Sequence, residues 1–389
     1  MSLFSGYEFF FYLFVLLMPA IILGVSEKHL RYYRCFLTCV FIWMAYSQFP
    51  TQFMYLMAYA IGSLYLVKMN LVITNSFGKN KYIIWHMVAL AVIPLLISKW
   101  SSRVGGTLFC FLGISYLCFR VVQVLIESYD GLIKEISVLE YLDFLLFFPC
   151  LSSGPIDRSR RYLQDCNKLY PRSEYLQLLN DGIYKLVLGI FYKIVCSAYL
   201  FDLLKNVFAV RNAPLYLIGY SYTYGLYMFF DFAGYSAMAI GVSYILGIRT
   251  PENFNKPFIS LDLKDFWNRW HISLSTWFRD FLFSRFTMDA IRKKRFDSRL
   301  TTASVGLILN MGIMGIWHGF YGHYIAYGLY HGILLAVTEV YQKKSGFYKK
   351  NKDKRWYKIL SWFITLNIVM FGFLIFSGHI QEVWSRIKI

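Results

Sequence analysis

The sequence predicts an all-α polytopic membrane protein with about ten or eleven transmembrane helices, plus amphipathic and re-entrant helices. Three observations carry that prediction. The 389 residues are 57% hydrophobic and only 16% charged, where an ordinary soluble domain holds about 45–50% and roughly 25%. Mean hydropathy is +0.45. Apolar stretches approaching the ~20 residues needed to cross a bilayer recur along the whole chain, divided by short polar breaks. The 20% aromatic content also excludes a disordered chain.

In chain order, the expected spans lie near residues 8–25, 35–49, 51–69, 82–98, 105–126, 183–208, 213–231, 233–248, 300–317, 321–341 and 357–377. The apolar stretch 136–151 ends in Pro149, Gly154 and Pro155 and is expected to turn back rather than cross. No Lys or Arg precedes the first apolar run and no small-residue cleavage site follows it, so that helix is expected to stay as an anchor. The chain reads as a single membrane-embedded domain, 1–389. Its parts are N-terminal helices over 1–126, a re-entrant and amphipathic core over 127–285, and a histidine hairpin with the C-terminal helix over 286–389.

The formal net charge is +18, from 40 Lys+Arg against 22 Asp+Glu. In a soluble chain this would suggest nucleic acid. Here the positive charge falls in four segments between apolar runs: Lys28 to Arg34, Arg158 to Arg172, Arg285 to Arg299, and Lys343 to Lys358. That pattern marks cytoplasmic loops. It puts the N-terminus and the turn near Asn212 outside, along with the tail after Ser377, and His318 away from the cytoplasmic surface. The seven cysteines form no C-x-x-C pair, and no His spacing completes a metal site. They read as small buried hydrophobes, and no metal is expected.

Four stretches carry chemistry. Residues 257–285 read as one amphipathic helix capped by Ser260. Phe266, Trp270, Leu274, Trp277 and Phe281 fall on one face, and Lys264, Asn268, His271, Ser275 and Arg279 on another. Such a helix is either an interfacial anchor or the polar wall of a reaction chamber. Asn310 to His331 forms a hairpin with His318 at its turn, and Gly306, Gly312 and Gly315 would let helices approach closely. An intramembrane histidine is a functional-site hypothesis by default, with a helix-to-helix hydrogen bond as the plainer alternative. Phe147 to Arg161 turns from apolar into basic, either a re-entrant loop or a surface anchor. Asp231 sits among aromatics in an apolar run and needs a partner, whether it binds substrate or ties helices together. Gly234-Tyr-Ser236 is not a nucleophile elbow, and no phosphate-binding glycine motif occurs.

Taken in order, Asp265-Phe-Trp-Asn-Arg-Trp-His-Ile-Ser-Leu-Ser275, Trp277-Phe-Arg-Asp280, Trp317-His-Gly319 and Tyr330-His-Gly332 resemble the membrane-bound O-acyltransferase family. Tyr227 to Gly241 and Asn253-Phe-Asn-Lys-Pro257 fit as well. Ser153 to Arg161 and the closing Phe376-Ser-Gly-His379 look most like the branch that D-alanylates teichoic acids. Alginate-type polysaccharide O-acetyltransferases are the rival branch, and a polytopic transporter is the non-enzyme alternative. The resemblance implies a ring of helices around a thin central chamber in a bacterial plasma membrane.

The resemblance also implies a catalytic pair, His318 and His271, with Asn268, Arg269, Ser275 and Asp231 beside the substrate. Asn268 stands where family members commonly carry a basic residue. No cofactor is expected to be bound intrinsically. A phosphopantetheine arm would arrive on a D-alanyl carrier protein, docking at Arg292, Lys293, Lys294, Arg295, Arg158 and Arg161. The acceptor would be lipoteichoic acid, with other membrane-anchored proteins of the D-alanylation system assisting. An acyl thioester needs a base for the attacking hydroxyl, which suits a neutral imidazole at His318. His271, Asn268 or a backbone N–H would meet the oxyanion.

Overall fold

The computed structural model describes residues 3–208 and 214–380. Asn212 and the tail beyond residue 380 lie outside the described residues. Among those described, the structure is helical, without a strand and with one isolated antiparallel bridge, Phe254 to Trp270. The helices are, in order, α1 Tyr7–Val25, α2 Arg31–Tyr46, α3 Pro50–Phe77, α4 Lys81–Arg103, α5 Ile114–Asp130 and α6 Val138–Leu146. Next come α7 Ser159–Cys166, α8 Arg172–Ile190, α9 Ala198–Leu203, α10 Pro214–Ile245, α11 Leu263–Arg269 and α12 Ile272–Phe278. The last are α13 Ser284–Arg292, α14 Arg299–His318, α15 Gly322–Lys344, α16 Gly346–Asn351 and α17 Arg355–Ser377. Phe191–Ser197, Leu204–Phe208 and Arg279–Phe283 are π-helical. The chain divides into two compact units, Met1–Phe191 with Gly234–Pro251, and Tyr192–Ala233 with Glu252–Ile389.

Among the described residues, seven helical stretches are long and apolar enough to cross a membrane. They are α1, α3, α4, Arg172–Asn206, Tyr216–Ile245, α14 and α17. The other expected spans differ for identifiable reasons. The expected spans 213–231 and 233–248 meet in the one helix α10, Pro214–Ile245, because nothing between them breaks a helix and Asp231 finds a cation from another segment. The run at 35–49 becomes the 16-residue α2. The run at 105–126 starts as turns and becomes helical only at Ile114, after Gly113 at φ +89. There a Cβ would meet the Leu151 carbonyl oxygen at 2.2 Å, so only glycine fits. The run at 321–341 is the 23-residue α15, whose Tyr, His and Gly content lowers its hydropathy. Residues 136–151 form the short α6 and a 3₁₀ turn at Phe148–Cys150, too short to span.

In the first unit, buried polar groups tie the helices together. Arg120 is 1% exposed and donates to the carbonyls of Phe144, Leu145 and Cys150 at 3.0, 2.9 and 2.6 Å, closing the end of α6. Arg34, read from sequence as a surface charge of the first basic segment, is instead buried and paired with Asp143 at 2.9 Å. The Tyr162 hydroxyl donates to the same carboxylate at 2.9 Å. These bonds offset the cost of removing the charges from water. All seven cysteines are free thiols, of which Cys118, Cys150 and Cys166 are buried and Cys39 is exposed.

Candidate active site

The second unit contains both candidate catalytic histidines. The expected continuous helix over 257–285 is broken in the middle. Asp262, not Ser260, caps α11 by accepting the Asp265 N–H at 2.9 Å. The chain then becomes extended at Trp270 and left-handed at His271, with φ +44. An asparagine latch enforces the break. The Ile272 N–H donates to the Asn253 carbonyl at 2.9 Å, and the Ser273 hydroxyl to the Asn253 side-chain oxygen at 2.5 Å. The Asn255 N–H returns a bond to the Arg269 carbonyl at 3.0 Å. Helical periodicity could not reveal this latch, because its partner lies in another segment. The apolar stripe survives it: Phe266, Trp270, Leu274, Trp277 and Phe281 are all buried.

His271 thus heads α12 at 4% exposure, its ring 4.6 Å from that of Phe232. Its Nε2 has no hydrogen-bond partner among the described residues. A buried polar atom left so costs about 1–3 kcal/mol, the usual signature of a site completed by a ligand or water. Burial and the nearby His318 push the His271 imidazole down to about 3, so it is neutral at physiological pH.

His318 ends α14, one residue before Gly319. Its ring centroid lies 4.9 Å from that of Phe376 and 5.8 Å from that of Tyr324. The hairpin is tight because α14 and α15 nearly touch backbone to backbone. A Cβ on Gly315 would lie 2.5 Å from the Tyr324 carbonyl oxygen, and one on Gly328 2.4 Å from that of Met311. Of the glycines singled out from sequence, Gly315 makes this contact, Gly306 admits Phe283, and Gly312 meets nothing nearer than 3.8 Å.

The other candidate residues lie as follows. The Ser275 hydroxyl donates to the Trp270 carbonyl at 3.2 Å, bracing the break beside His271. Arg269 pairs with Asp265 at 2.7 Å. Asn268 is exposed, and no hydrogen bond of its side chain is found among the described residues, so it does not join the two histidines. Asp231 pairs with Lys193, on the π-helical turn 191–197, and accepts a bond from Ser197 at 3.5 Å. Arg292, Lys293 and Arg295 are exposed and gather round Asp289 at 3.2, 2.9 and 2.8 Å, while Lys294 is exposed and forms no ion pair among the described residues. In the first unit, Arg161 is held by Asp157 and by Asp165, the latter at 2.7 Å, and Arg158 is half-buried.

Two further groups complete the surroundings of the site. Lys193 is the partner that Asp231 requires, and because the pairing runs across helices no local sequence pattern marks it. His331 is fully buried among the rings of Trp267, Tyr327 and Tyr330, with neither nitrogen hydrogen-bonded. Among the described residues, no three His, Cys, Asp or Glu side chains converge as a metal site would require.

Residues 22–381 match the membrane-bound O-acyltransferase family. The chain is 40% identical to the teichoic acid D-alanyltransferase of Bacillus subtilis strain 168, over 97% of this chain and 98% of that one. It is 39% identical to the teichoic acid D-alanyltransferase of Streptococcus thermophilus, over 98% and 96% of the two chains. A probable alginate O-acetylase of Pseudomonas fluorescens shares 34% identity over 71% of this chain and 52% of its own. The chain therefore belongs to the membrane-bound O-acyltransferase family. It is an acyltransferase and an integral, multi-pass membrane protein.

Proposed function

We propose that this protein transfers D-alanine from a phosphopantetheinyl carrier-protein thioester, across the bacterial plasma membrane, toward hydroxyls of lipoteichoic acid. The observation that carries the reading is the convergence of two imidazoles from separate segments, His271 at a forced backbone break and His318 at a glycine-tight hairpin. The near full-length likeness to two teichoic acid D-alanyltransferases supports the acyl group and acceptor. His318 takes the proton of the attacking hydroxyl as its oxygen bonds the thioester carbon. The neutral His271 donates a hydrogen bond to the developing oxyanion. The carbon–sulfur bond then breaks, and the proton leaves with the thiolate of the phosphopantetheine arm. The exposed cations Arg292 to Arg295 offer an acidic carrier protein its landing surface, with Arg158 and Arg161 as the second basic group. Other membrane-anchored proteins of the D-alanylation system would receive or guide the acyl group on the outer face.

The test is His318→Ala in reconstituted membranes supplied with the D-alanyl carrier protein. Ester formation on lipoteichoic acid should fall by at least 100-fold while the protein stays folded in the membrane. Wild-type ester levels in that variant would remove His318 from the mechanism.

A further inference from the structure

A cleft of about 490 Å³ opens in the second unit between α15, α16 and α17, within the roughly 300–1,000 Å³ range of small-molecule sites. It runs along α15 from Leu334 to Gln342 and along α17 from Tyr357 to Ile368. At 1.5 Å per residue this is a slot roughly 12–16 Å long. Its ends differ in chemistry. The inner end is mainly hydrocarbon, from Leu334, Val337, Ile364 and Ile368, with the hydroxyls of Thr338 and Thr365 turned to the Leu334 and Leu261 carbonyls at 2.7 and 3.2 Å. The outer end carries Lys352 and Lys358 beside the rings of Tyr348 and Tyr357. Between them the hydroxyls of Tyr341 and Tyr357 lie 3.2 Å apart.

The charge at the outer end has no partner of its own. Lys343 is paired with Glu339 at 2.7 Å, but Lys352 and Lys358 form no ion pair among the described residues. The acidic residue in the lining, Asp262, already accepts from the Gln342 amide at 2.9 Å and from the Asp265 N–H. Two free cations therefore face one occupied carboxylate. The exposed Trp356 and Phe347 stand at the same end, as aromatic residues do at the level of lipid headgroups. An apolar slot along two helices, closed by aromatics and opening on lysines, matches an acyl chain ending in a negatively charged head.

We propose that this cleft holds one anionic glycerophospholipid, its phosphate between Lys352 and Lys358 and one acyl chain along Val337 and Ile364. The proposal is independent of the acyl-transfer chemistry and is read by binding alone. The full-length protein is purified in detergent, and retained lipid is counted by native mass spectrometry after adding dioleoyl-phosphatidylglycerol or dioleoyl-phosphatidylcholine, with inorganic phosphate as competitor. The wild type should retain one phosphatidylglycerol with at least tenfold preference over phosphatidylcholine. K352Q/K358Q should lose that preference, K352R/K358R should keep it, and V337W/I364W should lose both lipids. Equal retention of the two lipids by the wild type would overturn the proposal, as would an unchanged preference in K352Q/K358Q. Displacement by millimolar inorganic phosphate would overturn it too, since the acyl chain would then add nothing.

Discussion

Gly328→Ala should disable the enzyme although glycine has no side chain to take part in the chemistry. The new Cβ would stand 2.4 Å from the Met311 carbonyl oxygen and 3.0 Å from the Gly315 Cα. Non-bonded atoms settle near 3.5 Å, so α14 and α15 must part by about 1 Å. Neither neighbour can yield cheaply, since both are backbone in the middle of a helix. Overpacking of this kind costs about 1–3 kcal/mol. The displaced hairpin carries His318 at its tip, and a misplacement of about 1 Å in a catalytic group can cost 100-fold in rate. Gly312→Ala is the matched control, one turn from Gly315 on the same helix. Its Cβ meets only a Leu329 methyl at 3.8 Å, and alanine favours a helix interior by about 0.5–1 kcal/mol. Acyl transfer in proteoliposomes, with thermal melting in detergent, should show Gly328→Ala inactive and destabilised and Gly312→Ala active and no less stable. Equal behaviour of the two variants would refute the claim that backbone proximity at the hairpin positions His318.

Three further outcomes are expected. Because His271 is held at about 3 when folded and near 6.5 when unfolded, the unfolded chain takes up the proton first as pH falls. Its contribution to stability is therefore whole above pH ~6.5 and drains towards pH ~3, at up to about 1.4 kcal/mol per pH unit; melting curves from pH 8 to 5 should be flatter for His271→Gln than for wild type. Lys193→Met or Asp231→Asn alone should destabilise by about 1 kcal/mol, since the pair is only part-buried, and the double variant by less than the sum, as a double-mutant cycle of melting temperatures would reveal. Charge reversal of Arg292, Lys293 and Arg295 to Glu should weaken pull-down of the acylated carrier protein at least tenfold, with a salt dependence that the variant loses; unchanged capture would move the docking surface elsewhere.

What was legible in the sequence depended on whether the cause was local. Span length, the buried stripe from Phe266 to Phe281 and the hairpin at His318 are set by neighbours along the chain, and composition and periodicity reveal them. The break at Trp270–His271 is imposed by Asn253, which lies 17 or more residues upstream, against a local pattern that favours one helix. Asp231 announced its need for a partner but not which one, since Lys193 meets it only through tertiary packing. Arg34 was misplaced at the surface for the same reason, because a buried arginine is told from an exposed one only by the distant Asp143. The single long α10 was divided in the sequence reading at a charge that the fold neutralises.

The two histidines also differ in a way that residue type alone does not convey. With its imidazole pushed down to about 3 by burial and by His318, His271 is neutral at pH 7. That makes it a poor proton acceptor and a dependable neutral hydrogen-bonding group, the quality wanted opposite a developing oxyanion. An imidazole able to take the hydroxyl proton must lie in a less constrained position, and His318, half-buried at a helix end next to glycine, is the one the fold offers. Protonating His318 raises the cost of protonating His271 further, because each disfavours charge on the other. In the proposed mechanism this coupling would keep His271 neutral once His318 has taken the proton, leaving it as a hydrogen-bond donor to the oxyanion.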